Sequence, residues 1–420
     1  MRLSLRAYAS VRIVFLVLAL AANAFATLPS GKLIYTFRGS PDAGFPVAGL
    51  VADAAGNLYG TTIGGGTATC GCGTIFELSP PATVGGAWTE AVLYSFQGGN
   101  IDGAGPSGTL IFDQQGNLYG TTVGGSEGDG GSVFELSPPA LGGSWVETVL
   151  WAFNGNDPKG GQNPYGKLVF DADGNLYGTT FYGGLHGAGT VFELVAPKIA
   201  GAPWARRVLH NFGDVANDGA NPFAGLLLRG GILYGTTYNG GTVGQGMVFD
   251  LVRKPGLWTE NILYNFGGSG GSYPQAGLIA DSAGNLYGMA GGGGDGSCAC
   301  GTVYELSPPS VAGGPWQETT VHNFTGGGDG ASPAGELWRD KLDDLYGAAS
   351  SGGRGLGSVF KLKPPSVSGE AWVFVFLYNF PLSDSARPGY GALILVNGAF
   401  YGTIGGGGAP GEGAVFSIVP

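Results

Sequence analysis

Residues 53–62 read Asp53-Ala54-Ala55-Gly56-Asn57-Leu58-Tyr59-Gly60-Thr61-Thr62, a tight polar turn that runs into a short β-forming stretch. The phrase returns along the chain, with its tyrosine at Tyr59, Tyr119, Tyr177, Tyr234, Tyr287, Tyr346 and Tyr401 and spacings of 60, 58, 57, 53, 59 and 55 residues. Self-similarity at such a period is the mark of a repeat architecture. A proline lies 12 or 13 residues before each tyrosine: Pro46, Pro106, Pro164, Pro222, Pro274, Pro333 and Pro388. An aromatic follows in a Gly-x-(Val/Ile)-aromatic motif, at Phe76, Phe134, Phe192, Phe249, Tyr304, Phe360 and Phe416. A further aromatic closes a Leu-Tyr-x-Phe-like run at Phe37, Phe96, Phe153, Phe212, Phe266, Phe324 and Phe380.

Each unit reads as four short strands. In the first copy these are Leu50 to Asp53, Leu58 to Thr62, Thr74 to Leu78 and Ala91 to Phe96, bounded by Gly, Pro, Asn and Asp. The third and fourth are apolar on both faces, as in Val149-Leu150-Trp151-Ala152-Phe153, so each sheet is covered on both sides. Four strands in about 57 residues fits a propeller blade. The chain enters with a lone fourth strand, Lys32 to Phe37, and ends on a third strand, Ala414 to Ile418. The expected fold is all-β: a seven-bladed β-propeller of four antiparallel strands per blade, its ring closed by the N-terminal strand pairing into the last blade. The Pro-x-x-Gly-Leu entry marks the first strand as the innermost.

The turn Gly56 sits at a position filled by Gly in six copies and by Asp343 in the sixth, which predicts a positive φ. Asp53, Asp113, Asp171, Asp281 and Asp340 at the head of this turn read either as a ligand ring or as acceptors for their own turn backbone. Trp88, Trp145, Trp204, Trp258, Trp316 and Trp372 each precede the fourth-strand Phe by eight residues. In an unbroken strand that even spacing turns both rings to one side, for packing between blades or for stacking on sugar.

Arg2, Arg6 and Arg12, the apolar run Ile13 to Ala22 and Ala24-Phe25-Ala26 form the pattern of a secretory signal cut after Ala26. Residues 1–26 are therefore expected to be a signal peptide and 27–420 a single propeller domain. The protein is expected to be secreted or periplasmic, monomeric and without a membrane span. Its formal charge is −11, with no Lys/Arg cluster to offset it, so nucleic acid is excluded as a partner class.

The repeat resembles the bacterial exported family called choice-of-anchor tandem repeat GloVer-containing proteins. The likeness rests on Gly56-Asn57-Leu58-Tyr59-Gly60-Thr61-Thr62 and Gly73-Thr74-Ile75-Phe76-Glu77-Leu78 with their six echoes, over nearly all of residues 30–420. It implies export and repeats, and no defined activity. The strand order is similar to that of NHL-type and gluconolactonase-like propellers.

The connections from fourth to first strand and from second to third share one face, and this face carries the unusual residues. Asp42, Asp102, Asp218, Asp329 and Asp384 lie four residues before the first-strand proline. They read as an acidic ring at the channel mouth suited to Ca²⁺, a cation or a sugar, or as turn residues. All four cysteines, Cys70, Cys72, Cys298 and Cys300, fall in the two longest second-to-third connections. In an oxidising compartment a disulfide within each loop is expected, with a soft-metal site or free or intermolecular thiols as the alternatives. Of the three histidines, His210 and His322 take the fourth-strand Tyr position and His186 stands in a loop without a partner pattern. No G-x-S-x-G, HExxH or phosphate loop occurs. The reading that results is a non-catalytic exported module, without cofactor unless Ca²⁺, that binds polysaccharide, cell envelope or protein. A metal-dependent hydrolase or lactonase-like enzyme using the channel mouth is the alternative.

Overall fold

The computed structural model describes residues 30–420, apart from 84, 101, 141, 200, 296–297, 312, 354–355, 368, 381–386, 389–390 and 410. The expected signal peptide with its cleavage position, and Asp384, lie outside the described residues. The chain folds as a seven-bladed β-propeller of small antiparallel four-stranded sheets. In blade 1 the strands run from the axis outward as Val51–Ala52, Leu58–Thr62, Thr74–Ser79 and Thr89–Ser95. Blade 7 uses Ile394–Val396, Ala399–Gly406 and Ala414–Val419, and its outer strand is Ser30–Thr36, antiparallel to Ala414–Val419 with Leu33 opposite Phe416. No helix among the described residues is long and apolar enough to cross a membrane.

The aspartate, glycines, asparagine and tyrosine of the repeated phrase each have a physical task. Asp53 Oδ1 accepts the backbone N–H groups of Ala55 and Asn57 at 2.9 Å, and its Oδ2 accepts Asn57 Nδ2 at 2.9 Å and the Tyr59 hydroxyl at 3.2 Å. The turn is thus an Asx turn tied to the strand that follows. Gly56 has φ 88° and Asp343, its counterpart in blade 6, has φ 66°, in the left-handed region the sequence called for. Gly60 lies under the ring of Phe76, where a Cβ would come within 2.6 Å of Phe76 Cζ.

The apolar layers between blades supply the core. Phe96 of blade 1 meets Phe134 of blade 2 edge to face at 5.2 Å, and Phe37 meets Phe76 in the same way at 4.9 Å. All four rings are fully buried. Such pairs contribute about 0.5–1.5 kcal/mol each beyond the area they bury. Near the axis Thr403 of blade 7 donates to Ala48 O of blade 1 at 2.8 Å, the same step that Thr179 of blade 3 makes to Ala224 O of blade 4 at 3.0 Å.

The tryptophans pack between blades, but not on the side that their spacing suggests. Trp145 of blade 2 contacts Tyr59 of blade 1, whereas Phe153 of the same outer strand contacts Phe192 of blade 3. The reason is a bulge: opposite Val133 and Phe134 the outer strand pairs through Trp151 and Val149, leaving Leu150 unpaired. One extra residue reverses the side to which everything beyond it points.

Candidate functional site

The Pro-x-x-Gly segments converge on the axis and enclose a cavity of about 390 Å³, to which all seven blades contribute. The third residue after the proline is glycine in four blades, Gly49, Gly225, Gly277 and Gly391; at Gly49 and Gly225 a Cβ would run into the backbone of the neighbouring blade, so these glycines let the blades close up. Three blades depart from glycine there, with Thr109, Lys167 and Glu336. Lys167 Nζ of blade 3 reaches Glu336 Oε2 of blade 6 at 2.5 Å, across the ring. Both side chains are partly exposed, at 32% and 25%, so this ion pair forms a polar floor that solvent still reaches.

Above the floor the rim is divided. Over blades 3 to 5 it is aromatic. Tyr165 stacks on Phe223 at 5.0 Å, Phe181 stands edge-on to Tyr165, Tyr182 packs on Phe181, and Tyr238 packs on Tyr273. Over blades 5 to 7 a second cavity of about 440 Å³ adjoins the first, shares Val47 and Gln275 with it, and is lined by Ser332, Ser350, Ser351 and glycines.

The residue before the first-strand proline holds a positive φ at Phe45 (59°), Gly105 (62°), Asn163 (55°), Asn221 (58°), Tyr273 (56°) and Ser332 (51°). The asparagines use this corner to donate from Nδ2 to Val123 O and Phe181 O. Phe45 and Tyr273 have no amide to offer; the two residues are 40% and 37% exposed, and neither lines the two axial cavities. A bulky side chain in this region costs about 1–2 kcal/mol that glycine avoids. Such strain at an exposed ring is characteristic of functional positions.

The acidic positions singled out in the sequence lie at the seams between blades. Asp102 Oδ2 accepts the Tyr94 hydroxyl at 3.1 Å and Gln97 N at 2.6 Å, and Oδ1 accepts Gly103 N at 2.6 Å. Asp42 accepts Tyr35 and Ala43 N, Asp218 accepts Gly213 N and Gly219 N, and Asp329 accepts Thr325 N. None of these four lines the two axial cavities. The outer strand of the next blade brings a second carboxyl to three of these seams, Glu90 beside Asp42, Glu147 beside Asp102 and Glu260 beside Asp218. Burial, then the charge of Asp42 and the hydrogen bond its carboxylate accepts from the protonated Glu90, pushes Glu90 up to about 7. Burial, then the charge of Asp102, does the same to Glu147.

Cys70 is bonded to Cys72 and Cys298 to Cys300, each within its own loop. His322 stacks on Phe374 at 4.6 Å, and burial pushes its imidazole down. His186 pairs with Asp214 Oδ1 at 2.5 Å. Lys167 and Glu336 were not singled out from the sequence, although each breaks the Pro-x-x-Gly rule and could have been found by that departure. The aromatic rim had no periodic signal.

The Gloeobacter/Verrucomicrobia repeat profile matches three overlapping stretches, residues 24–249, 146–314 and 229–420. The chain belongs to this repeat family. Among curated protein sequences none is close enough to count as a relative. Among solved structures, virginiamycin B lyase from Staphylococcus aureus is similar in fold, with a TM-score of 0.55 and 12% identity over 93% of this chain and 100% of that one. A polysaccharide lyase of family PL25, an ulvan lyase solved with -[GlcA(1-4)Rha3S]- bound, gives a TM-score of 0.52 and 12% identity over 92% of this chain and 95% of that one. At such identity the likeness is one of fold.

Proposed function

We propose that this member of the repeat family binds a polysaccharide across the mouth of its central channel, as an exported module without chemistry of its own. The observation that carries this is the divided rim: aromatic rings over blades 3 to 5 face hydroxyl, amide and glycine groups over blades 5 to 7. A sugar has the same two characters, with an apolar C–H face for a ring and hydroxyls for Ser and Gln. Strain retained at Phe45 and Tyr273 supports a role for those rings outside folding. The export pattern in residues 1–26 supports an extracellular polymer as the ligand. Glycan arrays followed by calorimetric titration test the reading. Binding by the wild-type protein that is lost in Tyr165→Ala supports it. Binding to protein or lipid fractions alone, or glycan binding indifferent to Tyr165 and Tyr273, overturns it.

One observation favours a second reading, a sugar-processing enzyme. Lys167 and Glu336 place an amine and a carboxylate together in the cavity, a pair able to move a proton. Release of shortened chains from a bound polysaccharide, abolished in Lys167→Met, would establish it in place of simple binding.

A further inference from the structure

One seam between blades is built differently from its sisters. At the seam of blades 1 and 2, Tyr94, Asp102 and Glu147 come together, and the phenol donates to Asp102 Oδ2 at 3.1 Å. At the seam of blades 5 and 6, His322 takes the Tyr position and lies 3.2 Å from Asp329 Oδ2, while Phe374 replaces the glutamate and covers the imidazole. The seam of blades 3 and 4 combines the histidine of one with the glutamate of the other. There His210 Nε2 stands 3.5 Å from Asp218 Oδ2 and 3.6 Å from Glu260 Oε2.

Those separations hold the imidazole back from both carboxylates. His210 Nε2 and Glu260 Oε1 are buried, and neither has a hydrogen-bond partner among the described residues. The Glu260 side chain is only 9% exposed. Glu90 Oε1 and Glu147 Oε1 are unpaired in the same way at their own seams, so what sets this seam apart is the unpaired His210 Nε2, facing Asp218 Oδ2 and Glu260 Oε2. Leaving such a buried nitrogen unpaired costs about 1–3 kcal/mol. One donor atom from each of the three residues lies within 4.8 Å of the other two. Zinc bonds of about 2.0–2.2 Å at tetrahedral angles set donor atoms about 3.3–3.6 Å apart, which matches the distances around His210. One neutral imidazole and two carboxylates also balance a doubly charged ion, so the filled seam would carry no net charge. Asp218 is already aimed by the N–H groups of Gly213, Asp214 and Gly219, the kind of outer support that ligating carboxylates have.

We propose that His210, Asp218 and Glu260 bind one divalent transition-metal ion, Zn²⁺ by their donor set, and that this ion fastens blade 3 to blade 4. His210 is on the outer strand Ala205–Asn211 and Glu260 on the outer strand Leu257–Asn265, so the bond crosses the seam. A fourth position is left for water.

The test uses the full chain, stripped with chelator, loaded with Zn²⁺ and freed of excess ion, with metal per chain counted by mass spectrometry and Tm recorded with and without Zn²⁺. His210→Tyr rebuilds the Tyr/Asp/Glu seam that blades 1 and 2 already share, so it keeps a packing this fold accepts. His322→Tyr is the matched control at a seam without the second carboxylate. The expected result is one Zn²⁺ per wild-type chain, a higher Tm in its presence, affinity weakened about tenfold or more in His210→Tyr, and no change in His322→Tyr. Wild-type protein that retains no Zn²⁺, or His210→Tyr binding it as the wild type does, overturns the proposal.

Discussion

Lys167 and Glu336 lie 169 residues apart in sequence and meet over the axis with Nζ 2.5 Å from Oε2. They come from blades three steps apart in the ring, so the pair spans the channel where five other blades offer small or neutral groups. Both groups keep some contact with water, which limits the strength of the pair. Replacing either with alanine is expected to cost about 1 kcal/mol or less, and a double-mutant cycle in urea should give a coupling of about 0.2–1 kcal/mol. A coupling of zero would mean that the floor is held by the backbone alone.

Tyr273→Gly separates binding from folding. Glycine relieves the φ of 56° at that position, which offsets the loss of the ring's contact with Tyr238. Unfolding midpoints should stay level or rise, while polysaccharide affinity falls. Asn221→Gly, at the same corner of the neighbouring blade, forfeits the hydrogen bond to Phe181 O and should destabilise instead.

The seams set a pH dependence. Glu90 and Glu147 are raised from 4.5 to about 7 in the folded protein, so folding takes up protons there. The stability they contribute is fully present below about pH 4.5 and is lost as pH rises through about 7. Urea midpoints should therefore be lower at about pH 8 than at about pH 5. In Glu90→Gln with Glu147→Gln the difference should shrink. An unchanged difference would assign it to other groups.

Gly60→Ala should destabilise by about 1–3 kcal/mol, because its Cβ would sit 2.6 Å from Phe76 Cζ and 2.9 Å from Leu50 Cδ2. Gly143→Ala is the comparison, with only Pro139 Cβ nearby at 3.8 Å and an expected effect within about 0.5 kcal/mol. Thermal or chemical unfolding of the two variants measures the contrast.

The blades were legible in the sequence because each repeated residue answers a local demand. Asp53 needs its turn, Gly56 its positive φ, and Gly60 the space for Phe76. What the repeat hides is what differs between copies or depends on register. The bulge at Leu150 is invisible in a spacing count, so the parity of Trp145 and Phe153 gave the wrong relation between them. Asp102 stands at a repeat position close to the inner strand in sequence, yet its partners Tyr94 and Gln97 hold it at a seam. Position in a repeat does not tell an axis from a seam four residues away. The shared property of Phe45, Asn163 and Tyr273 is a backbone angle, and side chains so unlike one another do not announce it.

The first described strand, Ser30–Thr36, finishes a sheet whose other strands come from the last residues of the chain. Clipping it away would bare one edge of Ala414–Val419, a row of N–H and C=O groups with no cover. Such an edge templates addition of a foreign strand, and the nearest supply is the same segment of a neighbouring molecule. Protein that loses this strand by a cut near residue 37 thus presents an edge open to the still-attached N-terminal strand of an intact neighbour.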